Sequence, residues 1–213
     1  MKLVNDQLGH ETNHIIINGN GKYPDFFILK RICEIYNGSD NTIIFPRTPL
    51  KNPSGLSSLR AILSYLDEGF RNLIFIIDKE HILGDANAEI KNQLVNINIL
   101  NETYFQDAFL LECNLGHRNF NLFCSISGST NCIEEELLIL IKDQLNIQID
   151  LPQVRKSGSW RAQLKTKLDK QVGRKKIKKV IKESGRRKLE GAFPNLCAIF
   201  REISRNYEIN RNL

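Results

Sequence analysis

The chain has 213 residues, of which 41% are hydrophobic and 25% charged, and these proportions are typical of a globular protein. No apolar run approaches the roughly 18–20 residues that a membrane-spanning helix needs, so the sequence predicts no such helix. The first residues lack the apolar segment of a signal peptide, which makes a cytoplasmic location the expectation. Five scattered cysteines form no Cys-x-x-Cys pair, so we expect reduced core residues rather than a zinc site or a set of disulfides.

The net charge of +6 is distributed unevenly along the chain. Residues 151–213 contain 18 basic and 5 acidic residues, whereas residues 1–150 contain 12 basic and 19 acidic ones. An acidic part joined to a basic part indicates two different tasks. We therefore expect an α/β domain over residues 1–150 and a basic helical extension over residues 151–213.

Strand and helix patterns alternate between residues 14 and 77. Short β-branched runs predict strands, and apolar residues at helical spacing between them predict helices. The predicted elements are a strand at His14–Asn18, a helix from Pro24 to Ile35, a strand at Thr42–Phe45, a helix at Leu56–Tyr65 and a strand at Leu73–Ile77. This order predicts an α/β fold with a mainly parallel, Rossmann-like sheet flanked by helices.

The region that follows adds an antiparallel pair to the predicted sheet. A helix at Ala86–Asn96 precedes two apolar strands, Ala108–Asn114 and Asn119–Ser127, which a short glycine-containing turn joins as a hairpin. We expect this hairpin at an antiparallel edge of the sheet. A helix with an acidic first turn then starts at Cys132, a last short strand is predicted at Ile147–Leu151, and basic helices complete the chain.

Two carboxylates stand at the end of the most apolar predicted strand. Asp78 and Glu80 follow the run Leu73–Ile77, whose composition is typical of a strand buried on both faces. Open α/β sheets usually bind ligands at the carboxyl ends of their strands. Two carboxylates there can share a hard divalent cation such as Mg²⁺. The alternative is a pair of solvated loop carboxylates that cap the next helix.

Three stretches carry a resemblance to a known family. A strand with a glycine turn, a helix that opens Gly-Leu-Ser-Ser-Leu and the acidic strand follow one another at Ile15–Lys22, Gly55–Leu59 and Ile74–Glu80. In this order they resemble the TOPRIM domain, the metal-binding α/β module of topoisomerases, DnaG-type primases and OLD-family nucleases. Glu134, in a helix that opens Ile-Glu-Glu-Glu, is similar to a further acidic residue of OLD-like and stand-alone TOPRIM proteins.

The resemblance implies hydrolysis of phosphodiester bonds in nucleic acid with Mg²⁺ or Mn²⁺ as cofactor. It implies that Asp78, Glu80 and Glu134 are metal ligands. Asp78 and Glu80 would also be catalytic residues, together with Lys22. Lys22 or Arg47 would face the phosphate, although an exposed loop lysine or arginine often interacts with water alone.

One position departs from the family pattern. The family has a glutamate directly before the first glycine, where it acts as a general acid or base or as a metal ligand, and this chain has Asn18. An amide oxygen can coordinate a cation, but the amide carries no charge and exchanges no proton near neutral pH. A catalytically inactive binding module therefore stays open as the alternative. A sensor that binds a nucleotide at the turn Gly19–Lys22 is a further alternative.

The second candidate site is the basic region after residue 151. Basic residues cluster between Arg155 and Lys188 while apolar residues recur at helical spacing, a pattern that favours binding to the phosphates of DNA or RNA. Trp160 is either a platform on which a base stacks or a packing residue. The residues predicted to contact nucleic acid are Trp160, Arg161, Lys165, Arg174, Lys175, Lys178, Lys179, Arg186 and Arg187.

Other interpretations of the basic region remain open. It can be a solvated face that balances the acidic part of the chain, or a surface for an anionic membrane or protein. The sequence does not distinguish DNA from RNA as the partner. It also leaves open whether the chain acts alone, as a homodimer or in a larger complex.

Overall fold

The computed structural model describes residues 1–5, 12, 14–19, 21, 23–36, 42–46, 55–152 and 159–211. Its strands form one seven-stranded sheet in the order β1-β3-β2-β4-β7-β6-β5. The strands are β1 (Lys2–Val4), β2 (His14–Asn18), β3 (Thr42–Ile44), β4 (Asn72–Asp78), β5 (Asn98–Phe105), β6 (Ala108–Leu115) and β7 (Arg118–Ser127). The first five strands in the sheet order are parallel, and β6 runs antiparallel to both of its neighbours. The predicted α/β class with a mainly parallel sheet is confirmed.

Helices cover both faces of this sheet. They are α1 (Asp25–Ile35), α2 (Ile62–Asp67), α3 (Ala86–Gln93), α4 (Ile133–Leu145), α5 (Ser159–Gln171), α6 (Arg174–Glu183), α7 (Arg186–Ala192) and α8 (Pro194–Arg211). Two short 3-10 helices lie at Gly55–Ala61 and Lys79–His81. No helix among the described residues is long and apolar enough to cross a membrane.

Strand β4 is buried on both faces, as its uninterrupted apolar run predicts. Leu73, Phe75 and Ile77 point into one hydrophobic core, and Ile74 and Ile76 point into the other. The first core lies between the sheet and α2 and α3, whereas the second lies between the sheet and α1, α4 and the helices after residue 159. All five cysteines are buried, which agrees with their prediction as core residues.

The order of the strands creates a crevice beside β2. Helix α1 leads from β2 to β3 over one face, and the chain from β3 to β4 returns over the other face. Because β3 and β4 lie on opposite sides of β2, the connections diverge at the carboxyl ends of β2 and β4. Such a switch point is where open α/β sheets bind their ligands.

The second half of the sheet confirms one prediction and corrects another. The hairpin β6-β7 forms in the antiparallel edge region of the sheet as predicted, and β5, a strand that the sequence patterns did not reveal, pairs with β6 as the outermost strand there. The strand predicted at Ile147–Leu151 is wrong. Helix α4 ends at Leu145, Asn146 follows in a left-handed conformation, and Ile147 and Ile149 then pack against the helical core instead of reaching a sheet edge.

Candidate functional site

A polar cavity of about 410 Å³ occupies the crevice at the carboxyl ends of β2 and β4. Polar and charged side chains from five different parts of the chain line it. They include Asn18, Asp25, Asp78, His81, Arg161 and Lys165. The sheet therefore brings the predicted acidic strand end and part of the predicted basic region to one place.

Asp78 is positioned by the end of β4 and by the start of α4. Its Oδ1 accepts a hydrogen bond from the backbone N–H of Ile133 at 3.0 Å, so the carboxylate lies at the amino end of α4. A helix amino terminus favours a negative charge because its first N–H groups have no partner within the helix. Glu134 lies in the same first turn, and its side chain is 0% exposed.

Arg161 of α5 connects Asp25 and Asp78, which line the cavity, with the fully buried Glu134. Its Nη1 lies 2.6 Å from Asp78 Oδ2 and its Nε lies 3.0 Å from Glu134 Oε1. Its Nη2 lies 3.9 Å from Asp25 Oδ1, a separation at which the two groups attract each other without a hydrogen bond. Lys165, one turn later in α5, adds a second cation 3.0 Å from Glu134 Oε1. The predicted metal ligands Asp78 and Glu134 are thus paired with basic side chains.

Asp25 is a member of this cluster that sequence reasoning missed as a site residue. Its signal was only that of an acidic residue in the first turn of α1, which the helix dipole explains without any ligand. In the structure its side chain is buried, and a Cβ added to Gly21 would lie 2.1 Å from Asp25 Oδ2. A glycine at position 21 therefore leaves the space that the carboxylate fills.

The surroundings shift the pKa values of the three carboxyl groups in different directions. Burial raises the pKa of Asp25, and burial raises the pKa of Asp78 to about 7 although Arg161 opposes the rise. Burial also acts to raise the pKa of Glu134, but Arg161, the Cys132 thiol and Lys165 together hold it below its ordinary value. Glu134 is thus the most strongly stabilised anion of the three.

Glu80 and His81 approach Asp78 from its other side. The ligand atoms of Asp78, Glu80 and His81 all lie within 4.8 Å of one another. The short 3-10 helix Lys79–His81 produces this proximity, because it turns the chain back immediately after the strand. The structure therefore brings together the two carboxylates that the Asp-x-Glu spacing singled out, and it adds an imidazole to them.

Several predicted site residues have other roles or lie elsewhere. Lys22 and Arg47 lie outside the described residues. Asn18 lines the cavity, and its Nδ2 donates a hydrogen bond to the backbone oxygen of Ile76 at 2.5 Å. The prediction of Trp160 as a stacking platform is wrong, because its side chain is 2% exposed and its indole N–H donates to the backbone oxygen of Pro152 at 2.9 Å.

The remaining basic residues form the surface of α6 and α7. Helix α6 buries Ile177, Val180 and Ile181 on one side, so its lysines and arginine face solvent. The exposed basic residues of this surface are Arg174, Lys175, Lys176, Lys178, Lys179, Lys182, Arg186, Arg187 and Lys188. We call this set the α6–α7 basic surface. Some members have partners within the fold, such as Arg174 with Asp169 at 2.6 Å.

Aromatic side chains join the α6–α7 basic surface to the cavity. Tyr23 lines the cavity, and the guanidinium carbon of Arg174 lies 5.4 Å from the centre of its ring. Lys178 Nζ lies 4.4 Å from the centre of the neighbouring Phe27 ring. These are distances at which a cation is attracted to an aromatic face. Basic side chains therefore follow one another from Lys178 and Arg174 past Tyr23 to Lys165 and Arg161, and we call this series the positive path.

Comparison with protein-family models, curated proteins and solved structures returned no match to this chain. The TOPRIM resemblance therefore stays a prediction that rests on the residues that carry it.

Proposed function

We propose that the protein binds nucleic acid on the α6–α7 basic surface and hydrolyses phosphodiester bonds in the adjoining cavity with Mg²⁺ or Mn²⁺. The observation that carries this proposal is the convergence of Asp25, Asp78 and Glu134 on Arg161, which lines a polar cavity at the switch point of the sheet together with Asp25 and Asp78. The cavity also adjoins a surface on which phosphates would find many cations.

The donor set of the cavity suits a hard divalent cation. Asp25 Oδ1 and Glu134 Oε2 are buried and have no hydrogen-bond partner among the described residues, so each offers an uncommitted oxygen. Mg²⁺ and Mn²⁺ prefer such carboxylate oxygens to nitrogen or sulfur ligands. Asp78 and Glu80, whose ligand atoms lie within 4.8 Å of one another, would hold the cation, with Glu134 and Asp25 as further candidate ligands. When bound, a divalent cation activates water and neutralises charge on a phosphate.

The basic side chains of the cavity have a separate task in this proposal. Lys165 and Arg161 lie at the cavity end of the positive path and would bind the phosphate next to the bond that breaks. Asn18 cannot serve as the general base because an amide does not accept a proton near neutral pH. His81 lines the same cavity and is the imidazole available to accept a proton from the attacking water.

A cleavage experiment tests this function. Labelled single- and double-stranded DNA and RNA are incubated with the protein in Mg²⁺, Mn²⁺ or EDTA, next to Asp78→Asn and Glu134→Gln variants. We expect cleavage that depends on the metal and falls by at least about a hundredfold in either variant, because the loss of even an outer-shell partner of a metal ligand costs about 10–100-fold. Asp67→Asn is the matched control, because Asp67 is a surface aspartate that pairs with Arg118 outside the cavity.

A second candidate function is binding of nucleic acid without cleavage. The substitution of the family glutamate by Asn18 and the ion pairs of Arg161 with Asp78 and Glu134 favour it. The same samples distinguish the two functions. If every metal leaves the nucleic acid intact while binding weakens steeply with rising salt, the hydrolytic part of the proposal is refuted and the binding part is retained.

A further inference from the structure

The guanidinium of Arg161 lies between the carboxylates that the proposed cation would use. Asp78 and Glu134 each accept a hydrogen bond from it, at 2.6 and 3.0 Å, and the side chain of Arg161 is 24% exposed. A cation held by these two carboxylates must come within about 2.0–2.2 Å of their oxygens. The guanidinium of Arg161 fills the position between Asp78 Oδ2 and Glu134 Oε1 that such a cation would take.

We propose that Arg161 and a divalent cation compete for this one position, so that Arg161 closes the site and the cation opens it. The inference rests on the proposed function, since it concerns the regulation of the same metal site. It requires only the side chain of Arg161 to move, so Lys165, one turn later in α5, can keep its contact with Glu134.

The balance of charge favours the exchange once all three carboxylates are ionised. Asp25, Asp78 and Glu134 then carry three negative charges, and Arg161 and Lys165 supply two positive ones. A divalent cation in place of Arg161 would complete the compensation while Lys165 keeps its place at Glu134. Buried charge is tolerated when it is fully paired, so the state with the metal is the better compensated of the two.

While Arg161 occupies the site, two carboxylate oxygens lack a hydrogen-bond partner among the described residues. Asp25 is 9% exposed and Glu134 is 0% exposed, and one oxygen of each has no hydrogen-bond partner among the described residues. Arg161 reaches Asp25 only at 3.9 Å, which is too far for a hydrogen bond. A cation has no fixed fork, so it could use a carboxylate oxygen that the guanidinium leaves without a hydrogen bond.

Arg161 has a destination once it is displaced. It lines the cavity together with Lys165, at the end of the positive path that passes Tyr23. A released guanidinium there would bind a phosphate group with two parallel hydrogen bonds. Binding of the metal would therefore release Arg161, which could then bind a phosphate of the substrate.

Metal binding measured without any substrate tests the exchange. After treatment with EDTA, Mn²⁺ is titrated into the wild-type protein and into Arg161→Gln, and the dissociation constant is read by calorimetry and by thermal stabilisation. The apparent affinity of a site equals its intrinsic affinity multiplied by the fraction of molecules in which the site is open. If Arg161 closes the site in most molecules, its removal should therefore tighten Mn²⁺ binding by about tenfold. Arg161→Lys keeps the charge without the fork and should be intermediate. Arg118→Gln, an arginine paired with Asp67, is the matched control and should leave the affinity unchanged.

The wild-type protein supplies a second readout that requires no variant to fold. Phenylglyoxal modifies accessible arginines, and the modified positions are identified by peptide mass spectrometry. We expect Mn²⁺ to increase the modification of Arg161 and to leave that of Arg118 unchanged. If Mn²⁺ binds the wild type and Arg161→Gln equally and Arg161 stays protected, the exchange is refuted while the proposed metal site stands. If Mn²⁺ binds neither protein, the metal site itself is refuted and the exchange with it.

Discussion

Glu135 and Glu136 are neighbours on α4 with opposite surroundings. Glu135 accepts hydrogen bonds from the backbone N–H groups of Thr130 and Asn131, which outweigh its burial and lower its pKa. Glu136 is buried with one oxygen unpartnered among the described residues, and burial raises its pKa to about 8. The same residue type is therefore stabilised as an anion at one position and as a neutral acid at the next.

The pair predicts opposite effects of neutral substitutions on stability. A folded pKa above the unfolded value means that Glu136 favours folding at low pH and loses this contribution between about pH 4.5 and 8. Glu136→Gln should therefore increase the free energy of unfolding at pH 8 by on the order of 2–4 kcal/mol and change it little near pH 4. Urea unfolding at both pH values measures this difference.

Glu135→Gln is the matched control for this prediction. The folded pKa of Glu135 is depressed, so its contribution to stability is present above its unfolded pKa and disappears as the pH falls. Its replacement by glutamine should destabilise the protein at pH 8. Equal effects of the two substitutions at pH 8 would contradict the proposed difference between their surroundings.

Helix α6 buries its apolar side chains on one side and exposes its basic side chains on the other. Ile177, Val180 and Ile181 are buried, so the basic side chains of the opposite face contribute little to the core and can be changed without unfolding the helix. Replacement of Lys175, Lys178 and Lys182 by glutamine should weaken binding to nucleic acid. It should also reduce the slope of log K against log salt by about one unit for each phosphate that the variant no longer neutralises.

A fluorescence anisotropy titration over a range of salt concentrations measures both effects. The matched control removes the same charge from Lys2, Lys91 and Lys142, which lie on β1, α3 and α4. This control should retain the wild-type slope. If the two triple variants bind with the same reduced affinity, binding depends on net charge alone and α6 is not the interface.

The elements of the sheet could be predicted from the sequence more completely than the cavity they create. Leu73–Ile77 is apolar at every position, so a buried strand with Asp78 at its carboxyl end followed directly. The partnership of Asp78 with Arg161 could not be predicted, because 83 positions separate them and only the packing of α5 brings them together. The edge strand β5 was missed for a related reason, since most of its residues are exposed and it shows no regular alternation of buried positions.

In the whole molecule, the chain changes from acidic to basic near residue 150, but the hydrophobic core does not divide there. Trp160, Phe193 and Phe200 belong to the same buried cluster as Ile74 and Phe123 of the sheet. Polar contacts cross the same boundary, because the Arg31 guanidinium donates to the backbone oxygen of Ser184 at 3.0–3.1 Å. The basic helices therefore form part of one of the two layers that cover the sheet, together with α1 and α4.

Truncation after residue 152 should consequently prevent folding of the α/β part. Burial of a large apolar side chain contributes about 1.5–3 kcal/mol, and Trp160, Phe193 and Phe200 alone therefore account for a large share of the roughly 5–15 kcal/mol by which a typical protein is stable. We expect residues 1–152 to show no cooperative thermal transition and to bind a hydrophobic dye. Addition of residues 153–213 as a separate chain should restore the transition. A cooperative transition of residues 1–152 alone at the temperature of the full chain would show instead that the acidic part folds independently and that the basic helices only dock on it.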